Sequence, residues 1–317
     1  MNNRRIEHLK LSILIVTYNQ ERYISKALDS IYNQIFDCSV EVIIADDASS
    51  DRTLGIIKEY ESKESRFRFK YLDSTKNLGI TKNYQRGFAA CSGEYVAVLE
   101  GDDYWISPFK LQRQIDFLNI HYESDLCAVN YFIFEESSFL FYARSNIGNG
   151  HILFGARDII ADNVVSNFST FMMRKSALDE LPQKLFETHS YDWIVSIYLA
   201  RTSLIGFLQE PMSVYRNHSN GTWTAKSNIE KLKEQLAVIK DYDNLTNNVF
   251  HENFEALSNQ LRTKIIREEY ASYIGKPTRF LARIISRSID YIPPILLTVA
   301  KALIPPKLKQ LMAKLSK

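Results

Sequence analysis

Apolar positions in the first hundred residues follow two alternating rhythms. Residues 11–17 form a short run rich in β-branched side chains (Leu-Ser-Ile-Leu-Ile-Val-Thr), the pattern of a strand buried on both faces. Ile24, Ala27, Leu28 and Ile31 then recur at helical spacing. A second apolar run at 40–45 is followed by polar residues 46–51 and a helical pattern over 53–60. The strand signal returns at 67–72 and 95–99, with a helix near 83–91 between them. This alternation implies right-handed crossovers and an α/β fold with a mostly parallel sheet flanked by helices.

Beyond Gly101 the periodicity is less regular. Leu111, Ile115 and Leu118 predict a helix, 126–134 a strand, 139–150 a loop and 168–173 another strand. Residues 191–200 have helical periodicity and open with Asp192 near the start. The stretch 228–274, rich in Glu, Lys, Gln and Leu, predicts a helical hairpin, and no internal repeat is visible.

With 317 residues, 45% hydrophobic and 24% charged, the chain has ample material for a core, which excludes a low-complexity or collagen-like protein. Cys38, Cys91 and Cys127 are odd in number and scattered. They make neither a disulfide frame nor a zinc pattern, and so favour a reducing compartment. The net charge of +2 hides an asymmetry. Residues 276–317 hold nine basic side chains against Asp290 alone, a local +8, which leaves −6 on the remainder. Such a tail is drawn to an anionic surface. Its Arg residues alternate with apolar pairs (Phe280, Leu281, Ile284, Ile285), which favours a membrane over nucleic acid. The apolar piece 291–304 is too short to span a bilayer, and the polar residues 1–10 lack a signal-peptide core. The expectation is a cytoplasmic protein, peripheral on the inner face of the cytoplasmic membrane through 276–317, with no nucleic-acid partner. A basic helix packed on the body is the alternative.

Ligands of open parallel sheets bind beyond the carboxyl ends of the strands. Here those ends carry Thr17, Tyr18 and Asn19; then Asp46, Asp47, Ser49, Ser50 and Asp51; then Glu100, Asp102 and Asp103. Carboxylates gathered at one edge repel unless a cation or donors lie between them. Such hard oxygen ligands suit Mg2+ or Mn2+ holding phosphates. Neither a GxGxxG after the first strand nor a P-loop is present, which argues against a dinucleotide dehydrogenase and a P-loop ATPase. Taken singly, Ser50 or Asp51 reads equally well as a helix cap.

In this order, residues 12–19 (Ser-Ile-Leu-Ile-Val-Thr-Tyr-Asn), 46–53 (Asp-Asp-Ala-Ser-Ser-Asp-Arg-Thr) and 99–105 (Leu-Glu-Gly-Asp-Asp-Tyr-Trp) resemble the inverting family-2 glycosyltransferases with the GT-A (nucleotide-diphospho-sugar transferase) fold, of the kind found in surface polysaccharide assembly. Asn77-Leu78-Gly79 with Asn83, Tyr191-Asp192-Trp193 and Tyr215-Arg216-Asn217-His218 extend the resemblance over about 11–221. It implies a GT-A catalytic domain at 1–225, a helical extension at 226–275 and the basic amphipathic tail at 276–317.

The resemblance further implies a nucleoside-diphosphate sugar donor and a glycan or lipid-linked acceptor. On the donor side it places Thr17, Tyr18, Asn19, Asp47, Asn77, Gly79, Asn83 and Asp102, with Thr17 and Asp47 on the base and Asp102 near the ribose. Asp103 is the expected ligand of a Mn2+ or Mg2+ that bridges the diphosphate, and His218 is able to reach that metal late in the cycle. Glu100 stands where many members of the family have Asp. Asp192 is the expected base, its ionised form favoured by the helix N-terminus; the alternative is a simple helix cap. Trp193 either faces a sugar or packs in the core. No QxxRW segment of the processive synthases is present, so one sugar per encounter is expected. Two other readings stay open: a sugar-1-phosphate nucleotidyltransferase, which would want a glycine-rich basic loop after the first strand, and a nucleotide-sugar-binding module without catalysis.

Overall fold

The computed structural model describes residues 11–62, 66–165, 167–188 and 191–273; the basic stretch 276–317, with its expected membrane contact, lies outside the described residues. In chain order the elements are β1 (Leu11–Thr17), α1 (Ile24–Tyr32), β2 (Val40–Asp46), α2 (Thr53–Glu61), β3 (Arg68–Tyr71), α3 (Ile80–Ala90), β4 (Tyr95–Glu100), β5 (Tyr104–Trp105) and α4 (Lys110–Ile120). They continue with β6 (Ser124–Glu135), β7 (Leu140–Ala143), β8 (His151–Phe154), α5 (Ala156–Ala161), β9 (Met172–Arg174), α6 (Lys175–Asp179), α7 (Tyr191–Leu199), β10 (Leu204–Asn217), α8 (Asn228–Leu245) and α9 (His251–Tyr273).

One sheet runs in the order β3-β2-β1-β4-β9-β6-β10-β5, with β7 on β6 and β8 on β10. Its first four strands pair in parallel through β-α-β crossovers, and β6 pairs with β10 in parallel. The short strands β5, β7, β8 and β9 pair antiparallel, so the second half is mixed rather than parallel. Every residue of β1 and β2 is buried, as continuous apolar runs require when helices cover both faces.

Two expectations need correction. Residues 140–143, expected in a loop, form β7 on the rim of β6. Of the strand expected at 168–173, Phe168–Thr170 is a 3-10 turn and only Met172–Arg174 is extended.

The amino end of the sheet is tied by a buried polar cluster. Glu41 accepts hydrogen bonds from Ser12 Oγ at 2.5 Å, Ser92 N at 2.7 Å and Ser92 Oγ at 2.9 Å, and Ser12 Oγ accepts from Gly93 N at 2.8 Å. A Cβ on Gly93 would lie 2.5 Å from the Ser12 backbone nitrogen, so only glycine permits the approach. Glu41→Ala removes the acceptor shared by the Ser12 hydroxyl and by the N–H and hydroxyl of Ser92, although Ser92 N–H keeps Ser12 Oγ at 3.2 Å, and is expected to cost about 1–2 kcal/mol. Urea denaturation should show this as a lower midpoint at an unchanged slope.

The chain separates into two compact units, one built up to Gly221 with Asp241–Phe250, the other from Thr222–Lys240 and the helix beginning at His251. The second unit buries Phe254, Leu257, Leu261 and Ile265 along one stripe of α9 and pairs Lys233 with Glu269 at 2.7 Å. Among the described residues no helix is long and apolar enough to cross a membrane.

Candidate active site

Parallel registration sets three strand ends side by side. Thr17 pairs with Asp46, and Val16 with Glu100. The chain then turns tightly, with Gly101 N on Val16 O at 3.0 Å and Asp103 N on Glu100 O at 3.0 Å. A Cβ at Gly101 would sit 2.3 Å from Gln20 Oε1 and 2.8 Å from Thr17 Oγ1, so any larger residue would push the Thr17–Gln20 pair aside.

The turn delivers an acidic cluster. Asp103 is 1% exposed; its Oδ1 accepts the Arg216 backbone N–H at 2.9 Å, and its Oδ2 is buried without a hydrogen-bond partner. Asp102 Oδ2 lies 3.0 Å from His218 Nε2, so His218 stands beside Asp102, with its ring against Tyr23 at 4.6 Å. The Asp102 carbonyl accepts Arg216 Nε at 2.9 Å. The Arg216 guanidinium is held among the rings of Tyr23, Tyr104 and Phe134, at 4.9, 5.5 and 5.5 Å from their centres, an arrangement that favours a cation. Glu100 accepts the Tyr84 hydroxyl at 2.7 Å.

These acids strain against one another. Burial first, then the charges of Asp102 and Asp192, push Glu100 up to about 8. Burial, then Asp102 and Glu100, hold Asp103 well above the usual carboxylate range. Because these folded-state values are raised, the native protein keeps protons that the unfolded chain has already released. The ligand-free protein should therefore lose stability as pH rises from about 5 towards 8. Melting temperatures in metal-free buffer across that range test this, and a flat or rising profile contradicts it. A buried carboxylate oxygen without a donor, among hard oxygens crowded with negative charge, fits a divalent cation. Among the described residues, however, no three His, Cys, Asp or Glu side chains group into a complete metal cage.

Asp192 lies in the first turn of α7. Its Oδ1 accepts Trp193 N at 2.8 Å, and its Oδ2 accepts Asn167 N at 3.0 Å and Asn163 Nδ2 at 3.4 Å. A helix N-terminus favours the ionised form, but here burial outweighs the donors and raises the pKa, which corrects the expectation of a lowered one. The Asp192 charge is felt at Glu100 and at Tyr84, so Asp192 and the acidic cluster share one electrostatic environment. Trp193 is 4% exposed and donates to Ile159 O at 2.8 Å; it packs in the core.

The remaining residues expected on the donor side fall into two groups. Tyr18 is 49% exposed at the mouth of the edge. The others are occupied by the scaffold. Asn83, expected to touch the donor, is buried and donates to Ala45 O at 2.7 Å while accepting from Arg86 Nε at 2.8 Å. Its amide ties α3 to β2, because a helix lying across the strand end needs a polar anchor there. Asp47 accepts Leu78 N at 2.7 Å on one oxygen and Gly79 N at 2.9 Å on the other. Asn77 Nδ2 returns a bond to Asp47 O at 2.9 Å, and Gly79 turns into α3 at φ 81°. Thr17 Oγ1 donates to Gln20 Oε1 at 2.8 Å. Asn19, at φ 52°, accepts Ser50 N at 2.8 Å and clamps the loop after β2. The Arg216 cage was not foreseen, although Arg216 lies within the 215–218 segment that carries part of the resemblance; the part played by Asn167 has no one-dimensional signal.

Residues 12–181 match the model for glycosyl transferase family 2. An uncharacterized protein of Mycobacterium tuberculosis is 34% identical over 218 residues, 67% of this chain and 60% of that protein; the match thus spans three-fifths of that curated relative. Glycosyltransferase GlyA of Streptococcus pneumoniae is 31% identical over 133 residues, 42% of this chain and 18% of that one. Two solved structures share the fold. The crystal structure of S. aureus TarS 1-349 in complex with UDP-GlcNAc has a TM-score of 0.55 at 18% identity, covering 88% of this chain and 87% of that one. The mannosyltransferase PcManGT from Pyrobaculum calidifontis, in complex with GDP-Man and Mn2+, has a TM-score of 0.59 at 13% identity, covering 97% and 84%.

Proposed function

The chain belongs to glycosyl transferase family 2, and we propose that it moves one sugar from a nucleoside-diphosphate sugar to an acceptor hydroxyl with inversion at the anomeric carbon. The observation that carries this reading is one short segment, residues 167–170, that touches both sides: Asn167 N–H bonds Asp192 Oδ2 at 3.0 Å, and Ser169 Oγ accepts Glu100 N at 3.1 Å. A base and a diphosphate-holding group on one edge are what a single displacement needs.

Asp192 takes the proton of the acceptor hydroxyl as its oxygen bonds to C1. The C1–phosphate bond breaks on the opposite face, and its electron pair leaves with the diphosphate. Two backbone N–H groups fix the carboxylate, and its raised pKa makes it a stronger base than a surface acid. Arg216, caged by three rings and bonded to the Asp102 carbonyl, supplies fixed positive charge beside the acids. Asp103 would hold Mn2+ or Mg2+, with His218 able to join it. When bound, such a cation supplies Lewis-acid stabilisation of the leaving diphosphate. Solved neighbours that bind UDP-GlcNAc and GDP-Man with Mn2+ support a nucleotide-sugar donor. The basic, apolar composition of 276–317 supports a glycan or lipid-linked acceptor of surface polysaccharide assembly, met at a membrane face.

A thermal-shift screen of nucleoside diphosphates and their sugars, with and without Mn2+, tests the reading. One base should stabilise the protein in a Mn2+-dependent way; a uniformly null screen sinks it.

A further inference from the structure

Around Asp192 lie polar groups that the displacement step leaves unused. Asn167 is 9% exposed, and neither its Oδ1 nor its Nδ2 has a hydrogen-bond partner. Its backbone sits at φ 74° and ψ 139°, close to the conformation that the chain gives to glycine at Gly79, φ 81° and ψ 154°. Residues with a side chain rarely adopt it, and its cost is borne where the surroundings impose it. What imposes it is visible: this backbone aims the Asn167 N–H at Asp192 Oδ2, 3.0 Å away, and its carbonyl accepts Thr170 Oγ1 at 2.8 Å. Asn163 repeats the theme, donating to Asp192 from Nδ2 while its own Oδ1 is buried without a partner. Two asparagines beside the base thus hold acceptor oxygens, and one of them an amide donor, that nothing in the fold satisfies.

We propose that the Asn167 carboxamide binds the acceptor hydroxyl adjacent to the one that Asp192 deprotonates, so that the acceptor is a vicinal diol, as in a sugar ring or a glycerol unit. A neutral amide offers one face that donates and one that accepts, matching a hydroxyl, which does both. An ammonium group would satisfy only the oxygen, and a phosphate only the N–H. Asp192 and Asn163 are half-buried beside Asn167. This assignment rests on the proposed role of Asp192 as base, and it makes Asn167 a specificity-determining residue.

The test is nucleophile partitioning with the full chain. UDP-GlcNAc or GDP-Man, whichever stabilises the protein more in the presence of Mn2+, is incubated with the protein, glycerol and methanol at equal alcohol concentrations, and the two glycosides are quantified by mass spectrometry. The wild type should favour glycerol over methanol by roughly tenfold or more per hydroxyl, because a site built for a second hydroxyl discriminates against its absence. Asn167→Gly should bring that ratio near the statistical value. Its melting temperature should not fall, because glycine suits this backbone and no protein hydrogen bond is lost. A statistical ratio in the wild type, an unchanged ratio in the variant, or a variant melting several degrees lower each overturns the proposal. Failure of every nucleoside diphosphate to bind would instead sink the donor reading itself.

Discussion

Asp192→Asn should lower sugar transfer by roughly 10²- to 10⁴-fold, the range lost with a general base, while nucleoside-diphosphate affinity stays within a factor of about two. The substitution is close to isosteric. The side-chain oxygen of the new amide can still accept from one of the two backbone N–H groups, Asn167 N or Trp193 N, that hold the carboxylate now. What is lost is the capacity to take a proton. Single-turnover transfer measured beside calorimetric titration of the nucleotide separates the two effects. Turnover within tenfold of wild type would remove Asp192 from the chemistry, whereas joint loss of turnover and nucleotide binding would mark it as scaffold. The rate in the wild type should rise with pH until Asp192 is fully ionised. That rise is displaced above the ordinary carboxylate range because burial raises the group.

Asp103→Asn has the second large expected effect, and its sign differs between two measurements. The backbone N–H of Arg216 keeps an acceptor, and one negative charge leaves a cluster in which burial and mutual repulsion raise Glu100 and Asp103 together. The ligand-free variant should therefore be at least as stable as wild type at pH 8, and its stability should depend less on pH. Mn2+ affinity in the presence of saturating nucleoside diphosphate should drop by more than about 100-fold, since loss of even an outer-sphere partner costs about 10- to 100-fold. Titration calorimetry with the metal reads this without turnover. Undiminished Mn2+ binding would take Asp103 out of the cation site.

The strands β1, β2 and β4 were legible because burial on both faces leaves little room for polar alternation: Leu11–Thr17 and Val40–Asp46 are apolar through much of their length and buried throughout. The acids were legible because each follows such a run. Further along, the sheet is mixed and half-covered, and the same reasoning loses its grip. β10, the longest strand at 14 residues, mixes Gly206, Gln209 and Pro211 with apolar residues, and its pairing with β6 shifts register around Pro211. β7 is built from Leu140, Phe141 and Tyr142, which are 60, 53 and 47% exposed, so it lacks the buried face that a pattern could report. Within the site, residue type foretold location, whereas the hydrogen-bond partners of each side chain were not legible. Asp47 and Asn83 sit at the expected edge, but the Asp47 carboxylate and the Asn83 amide nitrogen are committed to backbone groups 30 or more residues away, while the Asn83 oxygen takes Arg86 Nε. For Asp192 the helix end is visible in the sequence and the burial that opposes it is not, and burial is the larger effect.

The Asp47 carboxylate, with one oxygen on Leu78 N and the other on Gly79 N, works as a clasp on the segment that leads into α3. On the proposed donor reading, such a clasp would leave the choice of nucleobase less to the acid itself than to the course of the strap it fastens. Under that reading, an altered nucleobase preference would be sought by replacing Asn77–Gly79 together, with Asp47 left in place as the anchor.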